Sequence, residues 1–493
     1  MEQCSIFQCF PIGRTSVKIH TTVLLVLVIA LFPGCTTKTT ESAVVSVPVE
    51  KEELVDFCGY WEGSLAINPT DSLAMGFTIT SGGEGVYEAL LQIPSQGLRN
   101  FKVSSIHQEH NQLSIGMEQL QATFTGTYDA VTQQIAGTFV QMGQSYPLVL
   151  DKGEVKENAR PQDPIKPYPY IAEDIYFKQQ PEGFKLAGTI TRPQGDGPFP
   201  AVVLVTGSGS QNRDEELLGH RPFLVLADAL TRSGIVVLRY DDRGFAESEG
   251  DASAATSLDF ANDAESAVHY LKSLPYVDAG NIGILGHSEG GIIAPIVAQR
   301  NRDLAFLVLM AGSGVDGVAV LEDQTAAILR AQQAPEPYIA QTVQTNLDIY
   351  ATVLDEGRTL EERKEAVLQT LLAMGMSEDQ AKAQVSALFL PWYMTFLTLD
   401  PSDYLKGLTV PVLILNGTKD TQISAALHVP AIRKALLAGG NTRNTIKVYE
   451  GLNHLFQPAE TGAPEEYGNI DITIDIKVLE DISKWIVSDR FQL

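Results

Sequence analysis

The chain is poor in cysteine, in basic residues and in long apolar runs, and each shortage excludes a class of protein. Only 4 of its 493 residues are cysteines. Lys and Arg total 35 against 60 Asp and Glu, which gives a formal net charge of −25. Because a nucleic-acid backbone binds a cationic face, this balance excludes nucleic acid as an expected partner. A hydrophobic content of 44% with 19% charged residues is typical of a globular protein and not of a multi-span membrane protein.

The one long uncharged run lies near the N-terminus. The sequence TTVLLVLVIALF follows a flank that carries Arg14 and Lys18 and precedes PGC, which ends at Cys35. This arrangement predicts a secretory signal peptide over 1–34, since the apolar stretch is short for a membrane span. A cysteine directly after a small residue resembles a bacterial lipoprotein box. That resemblance implies acylation of Cys35 and a membrane anchor through this lipid, with a location in the cell envelope outside the cytoplasm. The polar residues 35–52 are then a tether. Plain secretion and an uncleaved N-terminal anchor are the alternatives.

The remaining cysteines do not provide a disulfide framework. Cleavage before Cys35 removes Cys4 and Cys9, and acylation occupies Cys35 itself, which leaves Cys58 alone. The fold of the mature chain therefore depends on core packing. At this length two or three domains are expected.

The region 53–153 has the texture of an all-β domain. Short β-branched or aromatic stretches such as YWEGSLAI and ATFTGTYD are separated by Gly, Asn, Asp and Ser at regular intervals. This spacing predicts a meander of roughly eight strands, closed or nearly closed, and it loosely resembles a small lipocalin-type barrel. The Pro-rich, polar stretch over 154–170 predicts an interdomain linker.

The region 171–493 changes to an α/β pattern. Continuous apolar runs such as AVVLVTG, IVVLRYDD and PVLILNG alternate with helical stretches, which indicates a parallel sheet covered on both faces. The interval of about 315–405 contains helical periodicity and no convincing strand. We interpret it as a helical lid inserted between two strands of the sheet.

The segment ILGHSEGGI places Ser288 between a predicted strand and a predicted helix. In the pattern Gly-x-Ser-x-Gly, the glycines at 286 and 290 let a strained turn pass close to the neighbouring chain, and the turn exposes the hydroxyl at the end of the sheet. Ser288 is therefore a candidate nucleophile. The alternative is a polar residue in a tight turn.

A serine nucleophile needs an imidazole base and a carboxylate that orients it. Asp420 follows the strand PVLIL, and His454 lies in the loop after the last predicted strand. The chain order Ser, Asp, His is the one that this strand–helix motif requires. Asp400 competes with Asp420, but it precedes the strand.

The oxyanion site and the acyl pocket are predicted from position. The N–H of Glu289 follows the nucleophile, and a second N–H is expected from the glycine-rich loop VTGSGSQNRDE, at Ser208 or alternatively at Gly209. The lid segment LPWYMTFLTLDP carries Trp392, Tyr393 and Phe396, which form either an aromatic acyl pocket or packing of the lid itself.

The motifs GSGSQNRDE, RYDDRGFAESEG, GHSEGG, GTKDTQI and GLNH occur in an order that resembles the α/β-hydrolase superfamily, and within it the bacterial carboxylesterase and serine-aminopeptidase-like branch. The resemblance implies a Ser288–Asp420–His454 triad and hydrolysis of a small acyl-ester substrate, with no metal or organic cofactor. Peptidase or thioesterase activity, or a non-catalytic ligand-binding lipoprotein, are the alternatives. We also expect Asp242 and Arg243 to form an ion pair that fixes their loop.

Overall fold

The computed structural model describes residues 55–66, 72–83, 86–93, 98–141, 144–153 and 160–488. They fall into two compact units, one up to residue 153 and the other from residue 160. The predicted signal peptide, Cys35 and the tether lie outside the described residues. Within the described ranges, no helix combines the length and the apolar character needed to cross a membrane.

The first unit is all-β, as the residue pattern predicted. Its strands are β1 (Gly59–Ala66), β2 (Ser72–Gly83), β3 (Val86–Ile93), β4 (Leu98–Lys102), β5 (Ser105–Glu109), β6 (Gln112–Met117), β7 (Ala122–Asp129), β8 (Gln134–Gln141) and β9 (Gln144–Gly153). They form one sheet in the order β4-β3-β2-β1-β9-β8-β7-β6-β5. Strands that follow one another in the chain pair antiparallel, except β4 and β5, and β9 returns to pair with β1. The sheet is therefore a meander that ends at β4 and β5.

The described residues of this unit form nine strands instead of the expected eight or so. The stretch FKVSSIHQ spans two strands, because the chain leaves β3 and joins β6 within it: the N–H of Val103 bonds the Ala89 carbonyl of β3, and the N–H of Ser104 bonds the Gly116 carbonyl of β6. The core of this unit includes Trp61, which is buried and donates its indole N–H to the Phe57 carbonyl at 2.7 Å.

The second unit contains a sheet of eight strands in the order β10-β11-β13-β12-β14-β15-β16-β17. These are β10 (Ile171–Lys178), β11 (Lys185–Arg192), β12 (Phe199–Val205), β13 (Val236–Tyr240), β14 (Val277–His287), β15 (Phe306–Met310), β16 (Val412–Gly417) and β17 (Asn444–Tyr449). Strand β11 runs antiparallel to both of its neighbours, and the strands from β13 to β17 pair in parallel. The carboxyl ends of the parallel strands therefore meet at one edge of the sheet, where ligands bind in open α/β sheets.

Helices cover both faces of this sheet, which explains why the central strands β12 and β15 carry no polar side chain. Helices α1 (Pro222–Arg232) and α11 (Ile476–Val487) pack on one face. Helices α2 (Ser257–Lys272), α3 (Gly290–Arg300) and α10 (Ala425–Ala438) pack on the other. This arrangement confirms the predicted α/β-hydrolase fold class.

The predicted helical insertion is present between β15 and β16. It consists of α4 (Gly317–Ala331), α5 (Glu336–Val353), α6 (Leu360–Ala373), α7 (Glu378–Leu388), α8 (Pro391–Thr398) and the short α9 (Ser402–Leu405). Capping boxes fix where α6 and α7 begin. At α6, the side chains of Thr359 and Glu362 each bond the backbone N–H of the other residue. Ser377 and Gln380 form the same pair of bonds at α7. We call this segment the lid.

Part of the stretch predicted as a linker is bound to the second unit. The Arg160 guanidinium donates to the carbonyls of Leu218, Gly219, Gly468 and Ile470. The Asp163 carboxylate accepts a hydrogen bond from Arg221 Nη2 at 2.5 Å. Residues 160–170 therefore belong to the α/β unit, and a Pro-rich composition did not reveal these bonds.

Candidate active site

Ser288 lies in a sharp turn between β14 and α3. Its φ of +53° is in the left-handed region, which costs free energy for a residue with a side chain. The turn passes close to its surroundings: a Cβ on Gly286 would lie 2.0 Å from the Gly290 carbonyl oxygen, and one on Gly290 would lie 2.2 Å from the Val205 oxygen. Both flanking glycines are therefore required by sterics.

Asp420 and His454 are joined by a hydrogen bond. Asp420 follows β16, and its Oδ2 lies 2.9 Å from His454 Nδ1 in the loop after β17. The other oxygen, Oδ1, accepts the backbone N–H groups of Gln422 at 2.9 Å and Ile423 at 2.8 Å, which fixes the carboxylate. Because a carboxylate accepts, Nδ1 carries the proton, and Nε2 of a neutral His454 is left as the proton acceptor.

His287 connects the serine turn to the loop of His454. Its Nε2 lies 3.0 Å from the His454 carbonyl oxygen, and its Nδ1 lies 2.9 Å from Glu215 Oε1. The two imidazole rings are tilted at a centroid distance of 4.8 Å. Glu215 also accepts the Gly207 N–H at 2.9 Å, so one buried carboxylate joins the glycine-rich loop to the serine turn.

Both ring nitrogens of His287 face acceptors, and both can donate only when the imidazole is protonated. Burial opposes this protonation, but the carboxylate of Glu215 outweighs it and raises the pKa of His287 above its ordinary value. Glu215 and His287 therefore form a buried ion pair below the nucleophile. The sequence indicated no role for Glu215, although the residue stands in the quoted motif GSGSQNRDE.

The structure brings the serine turn and the Asp420–His454 pair together through His287. Within the described ranges, the Ser288 hydroxyl itself makes no hydrogen bond. Catalytic hydrogen bonds are often long or poorly aligned in ligand-free enzymes and tighten when substrate binds.

The predicted oxyanion residues lie beside the serine. Gly207 approaches so closely that its Cβ would be 3.2 Å from Ser288 Cβ. Ser208, Ser288 and Glu289 line a common cavity. Glu289 precedes the first residue of α3, where unpaired N–H groups and the helix dipole favour an anion.

The three aromatic residues predicted for the acyl pocket have different positions. Phe396 lines the cavity. Trp392 stacks on Phe396 at a centroid distance of 5.4 Å and donates its indole N–H to Glu289 Oε1 at 2.9 Å. Tyr393 is buried against Tyr350 within the lid, so its contacts are those of lid packing.

Glu289 has a buried side chain with two donors. Its Oε1 accepts from Ser257 Oγ at 2.6 Å as well as from Trp392. Burial raises the pKa of this carboxyl, and the two hydrogen bonds oppose the rise. The sequence identified Glu289 by its backbone N–H alone, because nothing local indicates that the lid reaches its carboxylate.

The expected Asp242–Arg243 ion pair is wrong. Arg243 instead binds Asp263 of α2, with Nη2 2.6 Å from Oδ1, and Asp242 accepts the Gln211 N–H at 2.8 Å. The side chains of adjacent residues project in different directions, so Asp242 and Arg243 each bond a different segment of the chain. The competing carboxylate, Asp400, accepts the N–H of Ser402 at 2.8 Å at the start of α9.

No group of three or more His, Cys, Asp or Glu side chains in the described ranges is arranged to hold a metal ion. The acidic and histidine side chains nearest the serine turn pair with each other, Asp420 with His454 and Glu215 with His287.

The sequence profile of the X-Pro dipeptidyl-peptidase (S15) family matches residues 182–430, just over half of the chain. The chain belongs to this family. The matched stretch includes Ser288 and Asp420 and ends before His454. Membership in the S15 family agrees with the α/β-hydrolase superfamily that the motifs predicted.

This S15-family chain also resembles curated proteins. It is 29% identical to Esterase EstD of Thermotoga maritima over 303 residues, which are 61% of this chain and 65% of the esterase. It is 23% identical to acyl-coenzyme A thioesterase 1 of Mus musculus over 279 residues, 56% of this chain and 52% of the thioesterase. The S15-family chain thus spans less than two thirds of the length of these relatives.

Solved structures similar to this S15-family chain include an esterase of Pyrococcus furiosus, at 15% identity and a TM-score of 0.40, covering 68% of this chain and 98% of that one. Another is Est1E of Butyrivibrio proteoclasticus with bound ferulic acid, at 16% identity and a TM-score of 0.38, covering 64% of this chain and 98% of that one.

Proposed function

We propose that this protein is a serine hydrolase that cleaves carboxylic esters through an acyl-enzyme, with Ser288 as nucleophile, His454 as base and Asp420 as orienting carboxylate. The observation that carries the proposal is the 2.9 Å bond between Asp420 and His454, in a loop whose backbone contacts the residue before the serine. An imidazole base oriented by a carboxylate is one part of the arrangement that nucleophilic catalysis by a hydroxyl requires.

In the proposed mechanism, His454 Nε2 takes the hydroxyl proton as Ser288 Oγ attacks the acyl carbonyl. Asp420 holds the imidazole in the required tautomer and stabilises its charge. The N–H groups of Glu289 and Ser208 stabilise the oxyanion, and each is worth on the order of 3 kcal/mol. The tetrahedral intermediate expels the alcohol, which receives the proton from His454. Water activated by the same imidazole then releases the acid.

Ester cleavage is favoured over removal of an N-terminal dipeptide by the chemistry of the cavity. A peptide's terminal ammonium needs a carboxylate with free acceptors. Among the described residues that line the cavity, Glu289 is the acidic one, and its Oε1 is already bonded to Ser257 and Trp392. Burial raises its pKa and so disfavours the charged form. The relative EstD of Thermotoga maritima is named an esterase, which supports this choice.

The proposal is tested by a matched set of substrates with one acyl group: a p-nitrophenyl ester, an acyl thioester, and a dipeptidyl amide. We expect the highest kcat/KM for the ester. Ser288→Ala should remove nearly all turnover, and Asp420→Asn should lower kcat by about 10³–10⁴ by favouring the wrong tautomer. A higher kcat/KM for the amide would overturn the ester assignment. Turnover by Ser288→Ala within tenfold of the wild type would overturn the mechanism. A non-catalytic binding protein would turn over none of the three.

A further inference from the structure

The lid places a buried amide in the cavity beside the serine. Gln324 of α4 is 4% exposed and lines the cavity together with Ser288. Its Nε2 donates to Gln422 Oε1 at 3.4 Å, which is a long hydrogen bond. An amide has two donor hydrogens and a carbonyl oxygen. Within the described ranges, one N–H and the carbonyl of Gln324 are left for another partner.

Gln422 fixes the orientation of the Gln324 side-chain amide. Gln422 Nε2 donates to the Tyr467 hydroxyl at 3.1 Å, so Gln422 Oε1 is the atom that faces Gln324 as acceptor. The backbone N–H of Gln422 is held in turn by Asp420 Oδ1. Because the position of Gln422 is set by the orienting carboxylate, Gln324 is held at a defined place relative to the site. Buried amides are normally hydrogen-bonded, so an incompletely bonded one indicates a missing partner.

The other walls of the cavity restrict what that partner is. Ile292, Val320, Phe396 and Ile423 form apolar surface. No Lys, Arg or His is among the described lining residues, and the carboxylate of Glu289 has its own donors. The enclosed space accommodates on the order of one water molecule, so the group that enters it is small. The cavity therefore suits a short, uncharged group with an apolar part and one hydrogen-bonding part.

We propose that Gln324 is a specificity-determining residue that binds a neutral hydrogen-bonding substituent, such as a hydroxyl or carbonyl, on a short acyl chain. This inference rests on the proposed ester hydrolysis at Ser288 and names its substrate class. A plain alkyl chain of the same length leaves the amide unpaired and buried, and sites built to bond a polar group discriminate against such analogues.

The test compares p-nitrophenyl butyrate with the 2-, 3- and 4-hydroxybutyrate esters. We expect one hydroxylated ester to exceed butyrate in kcat/KM by about tenfold or more, after correction for spontaneous hydrolysis. Gln324→Met, of similar size but without the amide, should abolish this preference by lowering the rate for the hydroxylated ester and raising that for butyrate. Val320→Ala, one helical turn away on the same wall, should change both rates by a similar factor and keep the preference.

The outcomes separate the two proposals. Hydrolysis of butyrate that depends on Ser288, with no hydroxylated ester preferred by the wild type, overturns the role of Gln324 and leaves the esterase intact. No hydrolysis of any of the four esters overturns the proposed function itself. If Gln324→Met does not fold, two other results test the role of Gln324. The wild type must prefer a hydroxylated ester over butyrate, and Val320→Ala must keep that preference.

Discussion

The buried pair of Glu215 and His287 gives the sharpest prediction about stability. Glu215→Gln replaces the carboxylate by an amide of nearly equal size, and the amide oxygen still accepts from the N–H of Gly207. The charge that holds His287 protonated is lost. The pKa of His287 should then fall, because burial alone disfavours the imidazolium. With Nδ1 unprotonated, the imidazole has one donor fewer for its two acceptors.

The magnitude follows from the burial of the pair. Glu215 is 4% exposed and His287 6% exposed, so solvent screens the interaction little. A hydrogen bond to a charged group contributes about 1.5–3 kcal/mol, against about 0.5–1.5 for a neutral one. We therefore expect Glu215→Gln to lower the free energy of unfolding by about 1–2 kcal/mol near pH 6. Glu215→Leu, which leaves both donors without a partner, should cost about 3–5 kcal/mol.

The pH dependence supplies the refutation. A histidine with a raised pKa contributes stability that is fully present below its unfolded pKa of about 6.5 and is lost as pH rises through the folded value. Urea denaturation from pH 5.5 to 9.5 should therefore show the difference between wild type and Glu215→Gln declining at high pH. A difference that is constant or grows with pH would refute the charged pair, as would an NMR titration in which His287 has the same pKa in both proteins.

Three further predictions concern packing and protonation. Gly290→Ala should lower the free energy of unfolding by roughly 1–3 kcal/mol, because its Cβ would lie 2.2 Å from the Val205 oxygen. Gly280→Ala is the control, since the atom nearest to its Cβ would be 3.6 Å away, and it should have little effect in the same urea titration. Trp61→Ala should destabilise the β unit by about 3–5 kcal/mol in calorimetry, and an equal effect of a substitution at the exposed Val131 would contradict the packing argument. Burial lowers the pKa of His428, and the charge of His454 adds to this, although Asp323 and Asp420 act in the opposite direction. The free energy of unfolding of the wild type should therefore fall below pH 6.5 by up to about 1.4 kcal/mol per pH unit relative to His428→Gln. Parallel plots of unfolding free energy against pH for the two proteins would contradict this.

The sequence alone predicted the features that repeat at regular spacing or stand in a short motif. Apolar runs without polar interruption indicated strands buried on both faces, and the 3.6-residue period indicated the lid helices. The strand–Gly-x-Ser-x-Gly–helix context indicated the turn at Ser288, because steric limits at 286 and 290 are local. Asp420 and His454 were found by their position after successive strands.

The contacts between distant segments could not be predicted. Glu215 meets His287 across 72 residues, and Trp392 meets Glu289 across 103, and no local pattern marks either pair. The Asp242–Arg243 prediction failed for the same reason, since Arg243 has a better partner in Asp263 on a helix that the loop precedes. Gln324 was overlooked because a glutamine on an amphipathic helix is ordinarily exposed, and the tertiary packing alone shows that it is buried.

The measurement that most directly tests the account is labelling of the folded protein with a fluorophosphonate, followed by mass spectrometry of the peptides. The account predicts one phosphonyl group per chain, on Ser288, with labelling abolished in Ser288→Ala and strongly slowed in His454→Ala. A label on another residue, or no label on a protein shown to be folded, would contradict the assignment of Ser288 as the nucleophile.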